Sequence, residues 1–406
     1  MSQRSAPELA DIFRASGPSY RARHDLPVSH LRVMRAIESC RTAVLGGHVE
    51  RCGHCKFERI AYNSCRNRHC PKCQRLAKEK WLQARKRDLL PIAYFHLVFT
   101  IPSAIAEIAL QNKKVLFRIL FRASAETLLR IAADPKHLGA QVGFFSILHT
   151  WGQNLLFHPH VHTVVTGGGL SPDGQRWISS RNGFFLSVRV LSRLFRRLFL
   201  EAIDEAYRNG ELEFHGSLEA LKDPKQFAYH LKPVRHIDWV VYAKPPFGGP
   251  EQAIDYLGRY THRVAISNQR LERFEYGKVT FQYKDYRSQQ PQRQRQMTVS
   301  DEEFIRRFLL HVIPPGFQRI RHYGLLSNRQ RWQNLTQCRS LLIGPRPDLL
   351  PEARQLKQVA ESIVEPARRC PKCKVGKMAR VATVLAYRWP ALPPPAPCRP
   401  ALLDSS

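Results

Sequence analysis

Apolar positions recur at helical spacing near the start of the chain: Leu9, Ile12 and Phe13 mark one helix, and Val28, Leu31, Val33, Met34 and Ile37 a second. From about residue 92 the pattern changes to alternating strands and helices. Ile92 to Ile101 reads as a buried strand, Val115 to Ala133 as an amphipathic helix closed by Asp134-Pro135, and Gly143 to Trp151 as a second strand. His160 to Thr166 predicts a third strand ending in Gly167-Gly168-Gly169, and the short polar link before it predicts an antiparallel pair with the second. Leu186 to Tyr207 reads as a long helix with Leu191, Leu194, Phe195, Leu198 and Ile203 on its apolar stripe and Asn209-Gly210 as its stop. Ile237 to Ala243 is a further strand, after which Gly249-Pro250 opens a short helix. Val279, Phe281 and Tyr283 alternate with polar residues as in a half-buried strand. The most membrane-like stretch, Leu89 to Leu110, is broken by Pro91 and Pro102 and carries His96 and Glu107, so it reads as a strand and a helix, not a spanning segment.

The 406 residues exceed what one hydrophobic core usually organises, and composition divides them. Residues 1–50 form a helical segment, 51–90 a module rich in Cys, Arg and Lys, 91–345 the alternating strands and helices, and 346–406 a CxxC segment with a proline-rich tail, Pro390 to Pro400. With 64 Lys and Arg against 33 Asp and Glu, the formal charge is +31 at pH 7, a surplus that repels itself unless a polyanion is present. Nucleic acid is therefore the expected partner, and a small acidic substrate alone would not require such a charge. The first residues lack the apolar core of a secretory signal, so a cytoplasmic location and no membrane association are expected. Five of the ten cysteines fall between positions 52 and 73, which suits metal binding in a reducing compartment better than a disulfide scaffold.

Cys52-Gly-His-Cys55 and Cys70-Pro-Lys-Cys73 are separated by fourteen residues. Two tight CxxC turns can close a tetrahedral Zn²⁺ site, so Cys52, Cys55, Cys70 and Cys73 are the expected structural zinc ligands; Cys65 and His69 could replace one of them or support them. Free or redox-active thiols are the alternative. Arg66, Arg68, Lys72 and Arg75 surround the cluster and are expected to contact DNA phosphates. A single further CxxC, Cys370-Pro-Lys-Cys373, has Cys338 and Cys398 as distant possible partners.

In His158-Pro-His160-Val-His162, strand alternation turns His160 and His162 to one face, making half of a metal site. A third ligand should come from the neighbouring strand, where His149 and Gln153 are placed for it; His158 is a weaker candidate at the strand's edge. Tyr256 and Tyr260 lie four apart on the short helix and project from one face. Such a pair is usually core packing, but beside a metal in a basic protein a tyrosine oxygen is a suitable nucleophile for a phosphodiester. Arg259, His262 and Arg263 flank the pair and would position phosphate. Arg319 and Arg321, in the Arg-rich run ending at Tyr323, read as part of a DNA-contacting surface, and Tyr323 is the next candidate nucleophile.

At these residues the chain resembles the two-tyrosine HUH transposases of the rolling-circle insertion sequences, insertion-sequence family ninety-one. The likeness is carried by CRTAVLGGHVERCGHC (40–55), YNSCRNRHCPKCQ (62–74), YFHLVFTIP (94–102), LHTWGQNLLFHPHVHTVVTGGGL (148–170), VVYAKPPFGGPEQAIDYLGRYTHRVAISNQRL (240–271) and PPGFQRIRHYGLLSNR (314–329). It implies that His160 and His162 are the HUH pair, that Tyr256 and Tyr260 are the paired nucleophiles, and that the N-terminal cysteines form a transposase zinc-binding domain. Related relaxases carry a third histidine eleven residues before the pair, which falls on His149. The implied fold is α+β: an antiparallel sheet carrying the histidines, helices over its opposite face, and a zinc-binding module in front. The implied activity is Mg²⁺- or Mn²⁺-dependent cleavage and rejoining of single-stranded DNA at element ends and target, through a 5′-phosphotyrosine and a free 3′-OH. A plasmid replication initiator or relaxase with the same chemistry, and a non-catalytic zinc-dependent DNA-binding protein, are the alternatives. The oligomeric state is left open.

Overall fold

The apolar spacing at the start of the chain forms α1 (Leu9–Arg23) and α2 (Val28–Glu38), which bury Ile12, Phe13, Met34 and Ile37. A hairpin that periodicity did not announce follows, β1 (Gly47–Cys52) and β2 (Glu58–Tyr62), and then α3 (Pro71–Lys86), opened by a proline at its first turn. Next come β3 (Tyr94–Thr100), α4 (Ser103–Gln111), α5 (Lys113–Ala133), β4 (Gln141–Trp151), β5 (Phe157–Leu170), β6 (Trp177–Ser179), α6 (Val188–Arg208), α7 (Pro224–His236) and β7 (Val241–Lys244). The remainder is β8 (Leu271–Glu275), β9 (Lys278–Lys284), β10 (Gln294–Ser300), α8 (Asp301–Leu310), β11 (Ile320–Gly324), α9 (Arg331–Ile343) and β12 (Met378–Val384). The structure, a computed structural model, describes residues 6–181, 183–244, 265–285, 294–343 and 369–387, with Pro246, Phe247, Gly249, Gln252 and Gly258. Most of the short helix expected after Gly249-Pro250, including Tyr256, Arg259, Tyr260, His262 and Arg263, lies outside the described residues, as does the tail Pro390 to Pro400.

The chain divides into two units that do not follow its linear order: Met1–Glu38 with Arg66–Ser362, and Ser39–Cys65 with Ile363–Ser406. In the first unit an antiparallel sheet runs in the order β11-β4-β5-β3-β7, with β6 added beside β5. One face of it carries Phe95, Phe99, Phe144, Val161 and Val165, packed against Phe117 and Phe121 of α5 and Phe195 and Phe199 of α6. Each such fully buried phenylalanine contributes about 1.5–3 kcal/mol, which explains why the helices gather on this face. On the opposite face, towards one end, Tyr94, Phe145 and Val164 meet Trp81 of α3 and Leu335 and Cys338 of α9. The expected α+β class, with an antiparallel sheet and helices over one face, is the class observed. A second antiparallel sheet, β10-β9-β8, packs Phe281 against Phe304 of α8. No helix among the described residues is long and apolar enough to cross a membrane.

The glycine run was expected to end the third strand, but β5 continues through it to Leu170. These glycines permit close backbone approach inside the sheet. A Cβ on Gly169 would lie 2.1 Å from the Gln141 carbonyl oxygen of β4, and one on Gly167 would lie 2.7 Å from that of Ala93. We predict that Gly169→Ala forces β4 and β5 apart and destabilises the protein by about 1–3 kcal/mol. The measurement is thermal unfolding, with Gly249→Ala as control because a Cβ there meets nothing within 4 Å. An unchanged Tm for Gly169→Ala would contradict this account of the glycine run.

Candidate metal centre and nucleic-acid surface

The register between β4 and β5 sets His149 directly opposite His160 and Ile147 opposite His162. Because successive side chains alternate, His149, His160 and His162 share the face that the phenylalanine core does not use. The ring of His149 lies 5.5 Å from that of His160 and 4.5 Å from that of His162, and the candidate ligand atoms of all three fall within 4.8 Å of one another. His160 and His162 present their Nε2 atoms 3.1 Å apart. The outer nitrogen of His160 has a separate partner, with Nδ1 2.7 Å from the His158 carbonyl, to which it donates. All three imidazoles are buried. Burial holds the His160 pKa down to about 4, and burial together with the neighbouring His149 and His160 holds that of His162 well below the ordinary range. Neutral imidazole is the form that can bind a cation.

A fourth histidine joins them from β3. His96 Nε2 lies 2.9 Å from His162 Nδ1 and the two rings stack with centroids 5.1 Å apart. Burial, then Lys244 and His160, push the His96 pKa down to about 3. In sequence His96 was one polar residue in a mostly apolar strand, and its role emerges only once β3 is known to pair with β5, Val98 opposite His162. Trp151 stacks on His149 at 4.4 Å. Of the other candidates for a third ligand, Gln153 offers its carbonyl to Arg270 at 2.5 Å, and His158 is exposed and contributes its main chain to His160.

The expected cysteine quartet is not brought together. Cys52 and Cys55 group instead with Cys370 and Cys373 in the second unit, the four sulfur atoms falling within 4.8 Å of one another. Cys70 and Cys73 lie at the start of α3 in the first unit. His69 was a possible substitute ligand, but its Nε2 accepts the Ile313 N–H at 3.1 Å and its ring nitrogen Nδ1 lies 3.2 Å from Asn67 Oδ1, so both nitrogens are engaged in holding the chain.

Comparison with known proteins bears on both clusters. A family model described as "Putative transposase" matches residues 143–333, which include His149, His160 and His162, and one described as "Transposase zinc-binding domain" matches residues 12–101. The chain is 58% identical over 382 residues to "Putative transposase y4qJ" of Sinorhizobium fredii, covering 93% of this chain and 96% of that one. It is 30% identical over 327 residues to "Transposase for insertion sequence element IS801" of Pseudomonas savastanoi pv. phaseolicola, covering 77% and 74%. The chain belongs to the transposases of insertion-sequence family ninety-one. No solved structure matches it.

The basic residues of this transposase divide by environment. Arg66 and Arg75 are exposed, Arg75 with Glu79 at 3.7 Å, while Lys72 pairs with Glu8 at 2.5 Å. Arg68 instead turns inward and donates to the carbonyls of Phe317 and Pro314, each at 2.6 Å. Arg321 lies over the rings of Phe121 and Phe317, at 4.4 and 5.1 Å from their centroids. Burial and then Arg68 push the Arg319 pKa down to about 10. The expectation that Arg68 offers a phosphate contact is corrected accordingly, because the Phe317 and Pro314 carbonyls recruit it, while Arg321 is engaged by aromatic faces and Arg319 is half-buried. Tyr323, the reserve nucleophile, pairs with Phe144 and stacks on its ring at 5.1 Å, on the sheet face away from the histidines. Gly258, midway between Tyr256 and Tyr260 in sequence, is buried, and a Cβ there would lie 2.8 Å from Leu82 and 3.1 Å from Lys78 of α3.

Arg68→Ala should therefore act on stability. Leaving part-buried carbonyls without their charged donor costs about 1–3 kcal/mol, so Tm should fall while the salt dependence of DNA binding keeps its slope. Arg75→Ala should leave Tm unchanged and flatten that slope by about 0.7 on single strands if it meets a phosphate. An Arg68→Ala protein with native Tm and a reduced slope would restore the phosphate reading.

Proposed function

We propose that this transposase cleaves and rejoins single-stranded DNA at the ends of its element, in rolling-circle fashion, with His149, His160 and His162 holding a divalent cation and Tyr256 and Tyr260 acting as nucleophiles. The observation that carries this reading is the convergence of the His160 and His162 Nε2 atoms at 3.1 Å while the Nδ1 atoms have other partners. With both Nδ1 atoms protonated, two lone pairs face each other, and a cation between them removes the repulsion. For ligands about 2.1 Å from an ion and at right angles, the nitrogens would be about 3.0 Å apart, close to what is found. The ion would be Mg²⁺ or Mn²⁺, and imidazole donors favour the transition metal of the two.

When bound, the ion neutralises charge on the scissile phosphate and stabilises the charge that develops there. The surrounding residues keep the ligands in place. His160 is anchored through the His158 carbonyl, His162 through His96, and His149 against Trp151, so the ring orientations are set before substrate arrives. A tyrosine oxygen then attacks phosphorus, forming the phosphotyrosine bond at the 5′ side as the bond to the 3′ oxygen breaks. The released 3′-OH can prime synthesis, and the second tyrosine can accept the second strand. Were the segment helical, a spacing of four residues would put both phenols on one face.

The reading is tested with labelled single-stranded DNA carrying an element end, Mn²⁺ and a denaturing gel that retains covalent adducts. His160→Ala should abolish the adduct while single-strand binding persists, because binding rests on dispersed basic residues. His96→Ala should weaken Mn²⁺ binding by about 10–100-fold, as loss of a group supporting a metal ligand does. Either tyrosine alone changed to Phe leaves some nicking; the double Tyr256→Phe, Tyr260→Phe variant should form no adduct. A full yield of adduct from that double variant would refute the nucleophile assignment.

A further inference from the structure

We infer that Cys370 and Cys373, which lie outside both segments matched by the transposase families, complete a four-thiolate zinc site with Cys52 and Cys55, so that the metal clasps the C-terminal ribbon to the N-terminal hairpin. Four sulfurs about 2.3 Å from a tetrahedral Zn²⁺ stand about 3.8 Å apart. Across the two turns, Cys52 Sγ lies 3.7 Å from Cys373 Sγ and Cys55 Sγ 3.6 Å from Cys370 Sγ.

The two turns repeat the same construction. Cys52-Gly-His-Cys55 is followed by Lys56 with φ 59°, and Cys370-Pro-Lys-Cys373 by Lys374 with φ 60°. In the first, the Lys56 N–H donates to the Cys52 carbonyl at 3.2 Å, and in the second the Lys374 N–H donates to that of Cys370 at 2.9 Å. A backbone N–H reaches a sulfur in each, Cys55 to Cys52 Sγ at 3.5 Å and Gly376 to Cys373 Sγ at 3.3 Å. Holding two non-glycine residues at positive φ costs free energy, and orienting two thiol pairs toward one point accounts for the geometry. Gly376 marks the closeness of the approach: a Cβ there would lie 2.5 Å from Cys52 Sγ and 2.7 Å from the His54 Cβ.

The sheet around these turns needs such a staple. In the order β12-β1-β2, Cys52 pairs with Met378 and Gly47 with Val384, yet β12 is exposed along most of its length and β2 along alternate positions. A small three-stranded sheet with so little burial draws its stability from a metal or a disulfide. The sulfurs here are spaced for an ion, and each thiol proton is released to solvent on binding. A tetrathiolate zinc carries two net negative charges, and Lys56, Lys372 and Lys374 lie in the two turns to offset them. This site is independent of the tyrosine chemistry proposed above.

The full chain, purified without chelator, is treated with N-ethylmaleimide before and after zinc removal, and modified peptides are identified by mass spectrometry. Cys52, Cys55, Cys370 and Cys373 should be protected together and should become reactive together when zinc is stripped. Zinc measured by elemental analysis should fall by one ion per chain in the Cys370→Ser, Cys373→Ser double variant, and stay constant in Cys338→Ser. Cobalt substituted for zinc in the unaltered protein gives thiolate charge-transfer bands, which the double variant should lose in part. Free reaction of Cys370 and Cys373 in zinc-loaded protein would overturn the inference, as would an undiminished zinc content in the double variant. The alkylation result needs no substitution, so a variant that fails to fold does not leave the question open.

Discussion

The register of β4 against β5 is the constraint on which the histidine centre depends. A slip of one residue would turn His160 and His162 into the phenylalanine core and expose Val161 and Val165 in their place. Several contacts pin the register. On the core face Ser146 and Thr163 share a hydrogen bond at 2.8 Å, which satisfies two buried hydroxyls only when they stand opposite each other. Further along, the Thr166 hydroxyl accepts the Gly143 N–H and donates to the Gly168 carbonyl at the point where the pairing shifts. At the other end the connecting loop is held by its carbonyls: Gln153 to Arg270, Asn154 to Arg307 and Leu155 to His311. Leu155 is fully buried there with φ 63°, a conformation retained because the loop is tied on every side.

The two units hold chemically important side chains by different means. In the first, apolar burial on one face of the sheet is large enough to carry a cluster of buried imidazoles on the other, and the desolvation keeps them neutral. In the second, the described strands bury no comparable core, and orientation comes from tight turns whose carbonyl and N–H groups bond to one another. The membership of insertion-sequence family ninety-one rests on segments from both units, residues 12–101 and 143–333, while the C-terminal ribbon lies beyond either.

Periodicity was enough to find the long elements of the sheet and the helices behind it, because each has a strong apolar face. It was also enough to pair His160 with His162, since alternation within one strand is a local property. His96 was hidden because its contact depends on strand order and register, neither of which one strand records. The cysteines misled for a related reason. Cys70 and Cys73 are nearer in sequence to Cys52 and Cys55, yet the partners the fold supplies are more than three hundred residues away, with a separation of 321 between Cys52 and Cys373. Nearness in sequence lowers the entropy of closing a loop, but the logarithmic dependence is weak, and strand pairing between β1 and β12 outweighs it. The hairpin of β1 and β2 also escaped notice because its exposed alternate positions leave little apolar signal.

The net charge is informative about partners but overstates the surface available to them. Arginine satisfies several carbonyls at once with a planar fork of donors, and this fold uses it repeatedly in that way. Arg68 gathers the 313–317 turn, Arg270 and Arg307 hold the β4–β5 loop, and Arg339 reaches the carbonyl of Arg87 at the end of α3. Arg85 and Arg331 converge on the buried carboxylate of Asp88, at 2.9 and 3.9 Å, and burial raises the pKa of that acid. These guanidinium groups carry charge that contributes to the long-range field but cannot each meet a phosphate without releasing the segment they hold. The total of +31 therefore overstates the charge free to meet a partner, whereas side chains such as Arg66 and Arg75 are exposed and are not held by buried segments in this way.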